Sequence, residues 1–287
     1  MKRLDRTEKI FKNLSYVLLT LFALACLYPF IYVLSGSLSA KTAVDSGQVV
    51  LWPIGLNFDT YATVLGDNEF WLAYCNTFFV TIYGTLVSML VAICGAYALS
   101  KTRLMFGRGF NFMLVFTMWF SAGMIPTYKN FLNFGVNNKY MFIIALGFNA
   151  FNIILLRNYF SGVPTEIEEA ATIDGATEFQ ILTKVYVPMS KSSIITVAMF
   201  YAVARWNGYI WAQMLLTSNT DTLLTVYIKQ NMAQMVERLN NGTWEPPYST
   251  YALQYAFIVC SIIPVIIVYP MLQKYFAAGV NVGGVKE

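Results

Sequence analysis

Residues 70–100 read FWLAYCNTFFVTIYGTLVSMLVAICGAYALS, a stretch without a single charged side chain. A helix needs roughly 20 apolar residues to cross the hydrocarbon core of a bilayer. Apolar runs of this length exceed what the core helices of soluble domains use. The stretch therefore predicts a membrane-spanning helix, and with it a membrane protein.

The composition of the whole chain agrees with this interpretation. It is 57% hydrophobic and only 12% charged, against roughly 25% charged in a typical soluble domain. The four cysteines are scattered through apolar stretches and there is no histidine, so a metal site is not expected. The net charge of +4 is spread over short loops, which argues against nucleic-acid binding.

The same test finds six candidate spans, and an even number puts both termini on one side of the membrane. The spans are 13–40, 70–100, 109–128, 140–156, 192–220 (interrupted by Arg205) and one within 246–273. The predicted fold is an all-α membrane protein with six transmembrane helices in a single transmembrane domain, residues 1–287.

The distribution of Lys and Arg predicts the orientation, because cytoplasmic loops carry the excess of positive charge. The side of the termini holds Lys2, Arg3, Arg6, Lys9, Lys12, Lys101, Arg103, Arg108, Arg157, Lys184, Lys191, Lys274 and Lys286. The opposite side holds Lys41, Lys129, Lys139, Lys229 and Arg238. We therefore expect both termini in the cytoplasm of a multi-pass protein.

The longest internal cytoplasmic segment, residues 157–191, lies between the fourth and fifth spans. Thr165 and Glu168 have the spacing of a capping box, and acidic residues crowd the turn that follows, where the helix dipole favours them. Asp174 and Gly175 supply a stop. The pattern predicts a helix that ends in a glycine turn.

A second short helix is predicted after that turn, because Thr177 and Gln180 repeat the capping-box spacing. One side of this second helix carries Phe179, Leu182 and Tyr186. Pro188 is expected to end it. A plain reading of the segment is a surface hairpin that only ties two spans together.

The sequence EEAATIDGA at 168–176 favours a more specific reading, because it resembles the EAA motif of binding-protein-dependent ABC importers. The resemblance continues along nearly the whole chain, and it is closest to the carbohydrate class, in the smaller six-span partner of the complex-oligosaccharide branch. Other matching stretches are YPFIYVLSGSLS (28–39), NTFFVTIYGTLVSMLVAICGAYALSKTRLMFGR (76–108), IPTY (125–128), FNIILLRNYF (151–160), ARWNGYIW (204–211) and KYFAAGVNVGGVKE (274–287). One departure is VPMSK at 187–191, where the family commonly has Leu-Pro-Leu.

The resemblance implies a set of partners in the bacterial inner membrane. A second homologous permease would complete the translocation path for a sugar or oligosaccharide. Two ATPase subunits would supply ATP and Mg²⁺ chemistry, and an extracytoplasmic solute-binding protein would deliver the cargo. The loop 157–191 would dock on an ATPase, and the residues expected to couple it are Glu169, Ala170, Ala171, Asp174 and Gly175.

Polar and aromatic residues within the spans are the candidates for the translocation path. They are Asn149, Asn152, Arg205, Trp206, Asn207 and Tyr209, with Gln213 and Trp211 nearby. Helix-to-helix hydrogen bonds and interfacial packing are the alternative uses of such residues. Arg205 lies near the middle of the fifth span, where it must face protein or water. It has two open readings: a structural contact to backbone carbonyls or Asn side chains, or attraction of an acidic sugar.

Chemistry in this chain itself is not expected. The sequence has no Gly-Lys dipeptide, so it cannot form a G-x-x-x-x-G-K-[ST] phosphate loop. No cofactor, metal or catalytic residue is therefore predicted here. A six-helix secondary transporter or channel is the rival class, although proton-coupled carriers usually place acids within their spans and this chain does not. The glycine-rich tail within 274–287 is predicted either to be disordered or to insert between the ATPase subunits.

Overall fold

The computed structural model describes residues 5–242 and 246–280 of the chain. Every regular element over those residues is helical, which confirms the all-α class. The first helices are α1 (Arg6–Ser37), α2 (Lys41–Asp45), α3 (Asp59–Leu65), α4 (Asn68–Ser100), α5 (Gly107–Trp119), α6 (Met124–Asn133), α7 (Lys139–Ala145) and α8 (Ala150–Phe160). They are followed by α9 (Thr165–Ile173), α10 (Glu178–Ile181), a π-helical turn (Leu182–Tyr186), α11 (Val187–Met189), α12 (Lys191–Trp206), α13 (Ile210–Leu215), a 3₁₀ turn (Asn219–Asp221), α14 (Leu224–Asn240) and α15 (Thr250–Val280).

Three of these helices are long and apolar enough to cross a membrane: α1, α4 and α15. They contain 32, 33 and 31 residues and coincide with the predicted spans 13–40, 70–100 and 246–273. Helix α15 continues to Val280, so the first part of the predicted tail is helical. Residues 281–287 of that tail lie outside the described residues.

Two of the other predicted spans, 109–128 and 140–156, correspond to bent helix pairs, and the start of 192–220 belongs to a third pair whose first helix lies in the predicted loop. Helices α5 and α6 meet at 117°, α7 and α8 at 53°, and the segment Glu178–Met189 meets α12 at 87°. Among the described residues, three helices are thus long and apolar enough to span a membrane, or up to six segments if each bent pair counts as one span. Six spans and cytoplasmic termini remain predictions.

The bends correct the picture of three uninterrupted stretches, because the absence of charge does not guarantee a continuous helix. In 109–128 the helix stops before Gly123, whose φ of 88° is incompatible with a right-handed helix. In 140–156 the side chain of Asn149 accepts from the amide of Asn152 at 3.0 Å and starts a new helix. In 192–220, α12 ends at Trp206.

The chain forms two compact units. The first combines residues 1–70 and 228–264. In it, Lys41 Nζ donates to the carbonyl of Pro246 at 2.9 Å, and Ser249 Oγ donates to Asp45 Oδ1 at 2.6 Å. These contacts join segments that are far apart in sequence.

The second unit combines residues 71–227 and 265–287 and contains two apolar cores. One core joins α4, α5, α8 and α12 to the segment between α8 and α12, and its most buried members include Ala92, Leu156, Phe160, Ile181 and Val197. The other joins α4 to α7 and α13 through residues such as Val80, Phe142, Ala212 and Leu215. The first core fixes the predicted cytoplasmic loop against the end of α4.

Candidate functional site

The predicted loop 157–191 has the helix, glycine turn and second helix that its sequence indicates. Helix α9 covers Thr165–Ile173, and Gly175 follows its C-cap with a φ of 80°. A Cβ placed on Gly175 would meet no atom within 4 Å, so the turn needs the backbone conformation of glycine rather than its small size.

The two predicted capping boxes have different outcomes. At the second helix the box is confirmed: the Gln180 amide donates to Thr177 Oγ1 at 3.3 Å and the Thr177 amide donates to Gln180 Oε1 at 2.8 Å. At the first helix it is wrong. Pro164 occupies the N-cap with a ψ of 131°, so Thr165 is already the first helical residue and is not in the position of a capping side chain. Glu168 is thereby free to bind elsewhere.

The predicted apolar side of the second helix is wrong at one residue. Leu182 and Tyr186 are buried, but Phe179 is 73% exposed. A π-helical turn holds one extra residue, so it shifts the buried side by one position. Pro188 also does not end the segment, since it lies within Val187–Met189.

The π turn places Glu178 and Tyr186 on the same side of the segment. In an ideal α-helix two residues this far apart are offset by about 80°. The extra residue removes about 100°, which leaves them within about 20° of each other. Both side chains therefore reach α4.

Glu168, Lys101 and Tyr186 form the buried centre of a polar cluster between the loop and the C-terminal end of α4. Lys101 Nζ lies 2.6 Å from Glu168 Oε2, and the Tyr186 hydroxyl donates to the same oxygen at 2.6 Å. Lys101 Nζ also donates to the Tyr186 hydroxyl at 3.0 Å. The side chains of Lys101 and Glu168 are only 9% and 14% exposed.

Three further residues extend the cluster towards solvent. Arg103 pairs with Glu178 and lies 3.5 Å from Glu168 Oε1, while Tyr97 donates to Glu178 Oε2 at 2.6 Å. We refer to the whole set as the α4–loop cluster. Its members are Tyr97, Lys101, Arg103, Glu168, Glu178 and Tyr186.

Aromatic rings enclose the ammonium group of this cluster. Lys101 Nζ lies 4.2 Å from the ring centre of Tyr97 and 4.1 Å from that of Tyr186. The two rings pack edge to face at 5.0 Å, and Phe160 packs against Tyr186 at 5.6 Å. A cation held over two aromatic faces and paired with a carboxylate is strongly fixed.

The cluster also determines the ionisation of Glu168. Burial alone would raise the pKa of its carboxyl. The hydrogen bonds from Lys101 and Tyr186 and the charges of Lys101 and Arg103 outweigh burial and hold the pKa below its ordinary value. Glu168 is therefore a stable anion at neutral pH.

A cavity of about 750 Å³ opens beside the cluster. Its lining combines basic, acidic and hydroxyl side chains with a few apolar ones. These include Lys101, Arg103, Arg157, Thr165, Glu168, Glu169, Thr172, Ile173 and Tyr186. The loop thus contacts the end of α4 through the α4–loop cluster, and a cavity remains beside that contact.

The sequence-predicted coupling residues are mostly exposed to solvent. Glu169, Ala170 and Asp174 are exposed, and Asp174 is the C-cap of α9. Ala171, in contrast, packs against the apolar core of this unit. Their role in coupling stays a prediction.

Arg205 is buried within the second unit, with 5% of its surface exposed. Its guanidinium donates to the carbonyls of Phe142 and Ile143 at 3.3 and 3.0 Å and to Ser88 Oγ at 3.3 Å. A Cβ on Gly84 would lie 3.0 Å from Arg205 Nε. Contacts of this kind are those that the structural reading expects, and the role of Arg205 in the path stays a prediction.

Known proteins are similar to this chain along nearly its whole length. The family described as "Binding-protein-dependent transport system inner membrane component" matches residues 1–282. The chain belongs to this family. The polygalacturonan/rhamnogalacturonan transport system permease YtcP of Bacillus subtilis is 35% identical to this inner membrane component, over 97% of the present chain and 99% of the relative.

Two further similarities extend the comparison. The arabinooligosaccharides permease AraQ of Halalkalibacterium halodurans is 26% identical over the full length of both proteins. Among solved structures, a chain of a bacterial ABC transporter involved in the import of the acidic polysaccharide alginate is 44% identical to this inner membrane component. The two match with a TM-score of 0.88 over 96% of the present chain and 100% of the other.

The remaining path candidates of this inner membrane component occupy different environments. Trp206 is 8% exposed and packs against the rings of Tyr74 and Phe78 at 6.0 and 5.1 Å. Asn152 is also buried. Trp206 thus packs among aromatic rings, and the role of both residues in the path stays a prediction.

The other candidates have exposed or half-buried side chains. Asn149 is exposed and caps α8, and Asn207 is exposed and donates to the carbonyl of Val203 at 3.0 Å. Tyr209 is half-buried against the second core, as is Trp211, and Gln213 is exposed. No single surface unites all the candidates that the sequence suggests.

Sequence reasoning missed the α4–loop cluster as a functional feature of this inner membrane component. A signal for it was present: Tyr97 and Lys101 are four positions apart at the end of a long uncharged helix, so they share one side. Glu168 was noticed only as a capping residue. The partner of an ion pair far away in sequence cannot be found without the fold.

Proposed function

We propose that this chain is one of two permease subunits of an ATP-driven importer and forms half of the path for an oligosaccharide. The carrying observation is its similarity, over nearly its whole length, to sugar permeases and to a chain of the alginate importer. ATP is hydrolysed by separate ATPase subunits, and a solute-binding protein outside the membrane delivers the cargo.

The proposed topology has six spans with both termini in the cytoplasm of a bacterial cell. It is supported by three long apolar helices and three bent pairs, and by the excess of Lys and Arg on the side of the termini. Non-helical backbone at the bends within 109–128 and 140–156 is compatible with a membrane interior where it is buried in protein or lines a water-filled cavity. The bends therefore fit a protein that contains a path.

The proposed docking site for the ATPase is the exposed tip of the loop 157–191, around the turn at Gly175. Ile173 is 87% exposed and Phe179 is 73% exposed, and they flank the turn at Gly175. Two large apolar side chains at the tip of an otherwise anchored loop are suited to a cleft on another protein. Glu169, Ala170 and Asp174 surround them and would complete the contact, with Ala171 packed behind.

The proposed cargo class is acidic oligosaccharides. One similar protein is named for polygalacturonan and rhamnogalacturonan and another for alginate, and both names denote polymers that contain uronates. The guanidinium of Arg205 donates hydrogen bonds to two carbonyls and a hydroxyl of the protein, all of them neutral. Recognition of the cargo charge would then depend on other residues, in this chain or its partner.

The docking proposal is tested by purifying the importer through its ATPase subunits and measuring how much of this chain comes with them. Ile173→Asp should lower the recovered chain several-fold, because it puts a charge into an apolar contact. Met105→Asp is the matched control, since Met105 is also exposed, at 75%, but lies outside the loop. Equal recovery of the two variants would contradict the docking site.

The cargo proposal is tested in proteoliposomes that contain the importer, with its binding protein present. Uptake of a labelled oligogalacturonate should depend on ATP and should resist competition by a neutral oligomer of the same length. Uptake of the neutral oligomer alone would contradict the acidic class. Uptake without ATP, driven by an ion gradient, would favour the rival secondary transporter or channel.

A further inference from the structure

Helix α4 is attached to other parts of the second unit at three depths. At its outer end, Asn76 Nδ2 donates to the carbonyls of Thr220 and Thr222 at 2.8 and 3.2 Å. Near its middle, Ser88 accepts from Arg205. At its inner end it holds the loop 157–191 through the α4–loop cluster.

The distance between the outer and inner attachments is that of a membrane. Asn76 and Tyr97 are separated by about 30 Å along an unbroken α-helix, which is the hydrocarbon thickness of a bilayer. Helix α4 has neither proline nor a break within Asn68–Ser100, whereas the predicted span before the loop is bent between α7 and α8 and the one after it is interrupted where α12 ends at Trp206. It is therefore a stiff connection between the outer polar contacts and the loop.

The inner attachment is specific and buried. Lys101 and Glu168 are mutually paired, and both contact Tyr186. Separating them would leave a charge in a largely enclosed site, which costs more than separating an exposed pair. The loop therefore cannot swing away from α4 without breaking this pair.

We propose that α4 and the loop 157–191 move as one rigid element during transport, and that Lys101 and Glu168 are the positioning residues that hold them together. The inference rests on the proposed function, because an ATP-driven importer contains an ATPase that contacts the loop and moves it. Movement of the loop at the ATPase would reach the outer side of the membrane through α4. A loop that moves independently of α4 is the competing possibility.

The first experiment replaces the buried lysine in the complete importer and measures ATPase activity with and without loaded binding protein. Lys101→Met should leave the complex assembled but lower the cargo stimulation about tenfold, within the usual range of coupling between sites. Arg108→Met is the matched control, since it removes an exposed positive charge from the same side of the membrane. Lys101→Arg, which keeps the charge, should restore stimulation.

Retained stimulation in Lys101→Met would overturn the proposal, as would an equal loss in Arg108→Met. The wild-type importer separates this failure from failure of the proposed function. If the wild type itself shows no stimulation by cargo, the importer function fails. If the wild type is stimulated and Lys101→Met is stimulated equally, only the inference fails.

A second experiment keeps the proposal testable if Lys101→Met does not assemble. The four native cysteines are replaced, and cysteines are introduced as Lys101→Cys and Glu168→Cys. A short thiol cross-linker then joins the two positions. Full stimulation after cross-linking is expected, because the two segments stay together throughout the cycle. Loss on cross-linking, with recovery when the linker is cleaved, would overturn the proposal.

Discussion

Two buried charges on or against α4 are stabilised in opposite ways. Arg205 donates to two backbone carbonyls and a hydroxyl, all of them neutral. Lys101, which directly follows the last residue of α4, is paired with the carboxylate of Glu168 and lies over two aromatic rings. The difference lies in the neighbouring acceptors, which are mainly backbone carbonyls for Arg205 and a side-chain carboxylate for Lys101.

The carbonyls that bind Arg205 belong to Phe142 and Ile143, near the C-terminal end of α7. A helix C-terminus carries a partial negative charge, and the Phe142 carbonyl accepts from the Leu146 amide at 3.4 Å as well as from Arg205. The C-terminal end of α7 therefore acts as the counter-charge of Arg205. At the loop, Glu168 and Lys101 come from separate segments and supply opposite formal charges. The positive charge of Arg205 is thus balanced by backbone carbonyls, whereas that of Lys101 is balanced by an acidic side chain.

The largest expected effect is obtained by crowding Arg205. Gly84→Leu should lower the free energy of unfolding by about 3 kcal/mol, because overpacking displaces a buried guanidinium as well as a helix contact. Thermal unfolding of the purified protein in detergent measures the loss. Gly109→Leu is the control, since a Cβ there meets no atom within 4 Å. Similar stability of the two variants would contradict the tight packing at Gly84.

Arg205→Gln should be the next most damaging change, at about 2 kcal/mol, the scale of a hydrogen bond to a charged group. A glutamine cannot reach both carbonyls and the hydroxyl with the geometry of a guanidinium. The same unfolding experiment measures the effect. The stability of Arg205→Lys should fall between that of the wild type and that of Arg205→Gln. If Arg205→Gln is as stable as the wild type and only uptake of an anionic cargo falls, Arg205 belongs to the path instead.

Glu168→Gln should cost roughly 1 to 2 kcal/mol at neutral pH through loss of a charged hydrogen-bond acceptor. Because the folded pKa of Glu168 is held below its ordinary value of 4.5, its stabilising contribution is present above that value and is lost as the pH falls below it. Unfolding of wild type and Glu168→Gln between pH 7 and 4 measures this. The gap between them should shrink towards acid pH, and a widening gap would show that the sign is wrong.

Arg103→Gln should have the smallest effect, below about 1 kcal/mol, because an exposed ion pair contributes little. The Arg103 side chain is 55% exposed, in contrast to the 9% of Lys101. Unfolding at low and high salt checks the reason as well as the size, since screening should remove most of the difference. A loss as large as that of Glu168→Gln would place Arg103 in the buried centre of the cluster.

The sequence is sufficient for features that are decided locally. The helix over 70–100, the capping box at Thr177 and the glycine turn at Gly175 each depend on a few neighbouring residues, and all three are confirmed. The assignment of the chain to its family also rests on such local motifs.

Features that the charge pattern does not encode, and features that depend on distant parts of the chain, are not predicted. The break at Gly123 and the proline cap at Pro164 were missed, because a charge pattern carries no information on backbone direction. The pairing of Lys101 with Glu168 joins residues of two helices whose approach is set by the apolar core. Arg205 was recognised as important, but its carbonyl partners become available only through the bend at the end of α7.

The π-helical turn Leu182–Tyr186 also has an evolutionary consequence. Loops usually tolerate insertions and deletions, and this segment can lose one residue without losing the cluster. Removal of one residue from the turn would leave an ordinary α-helix, in which two residues seven positions apart are again within about 20° of each other. Relatives that preserve the cluster can therefore differ by one residue here, with a π turn in the longer form and an unbroken α-helix in the shorter one.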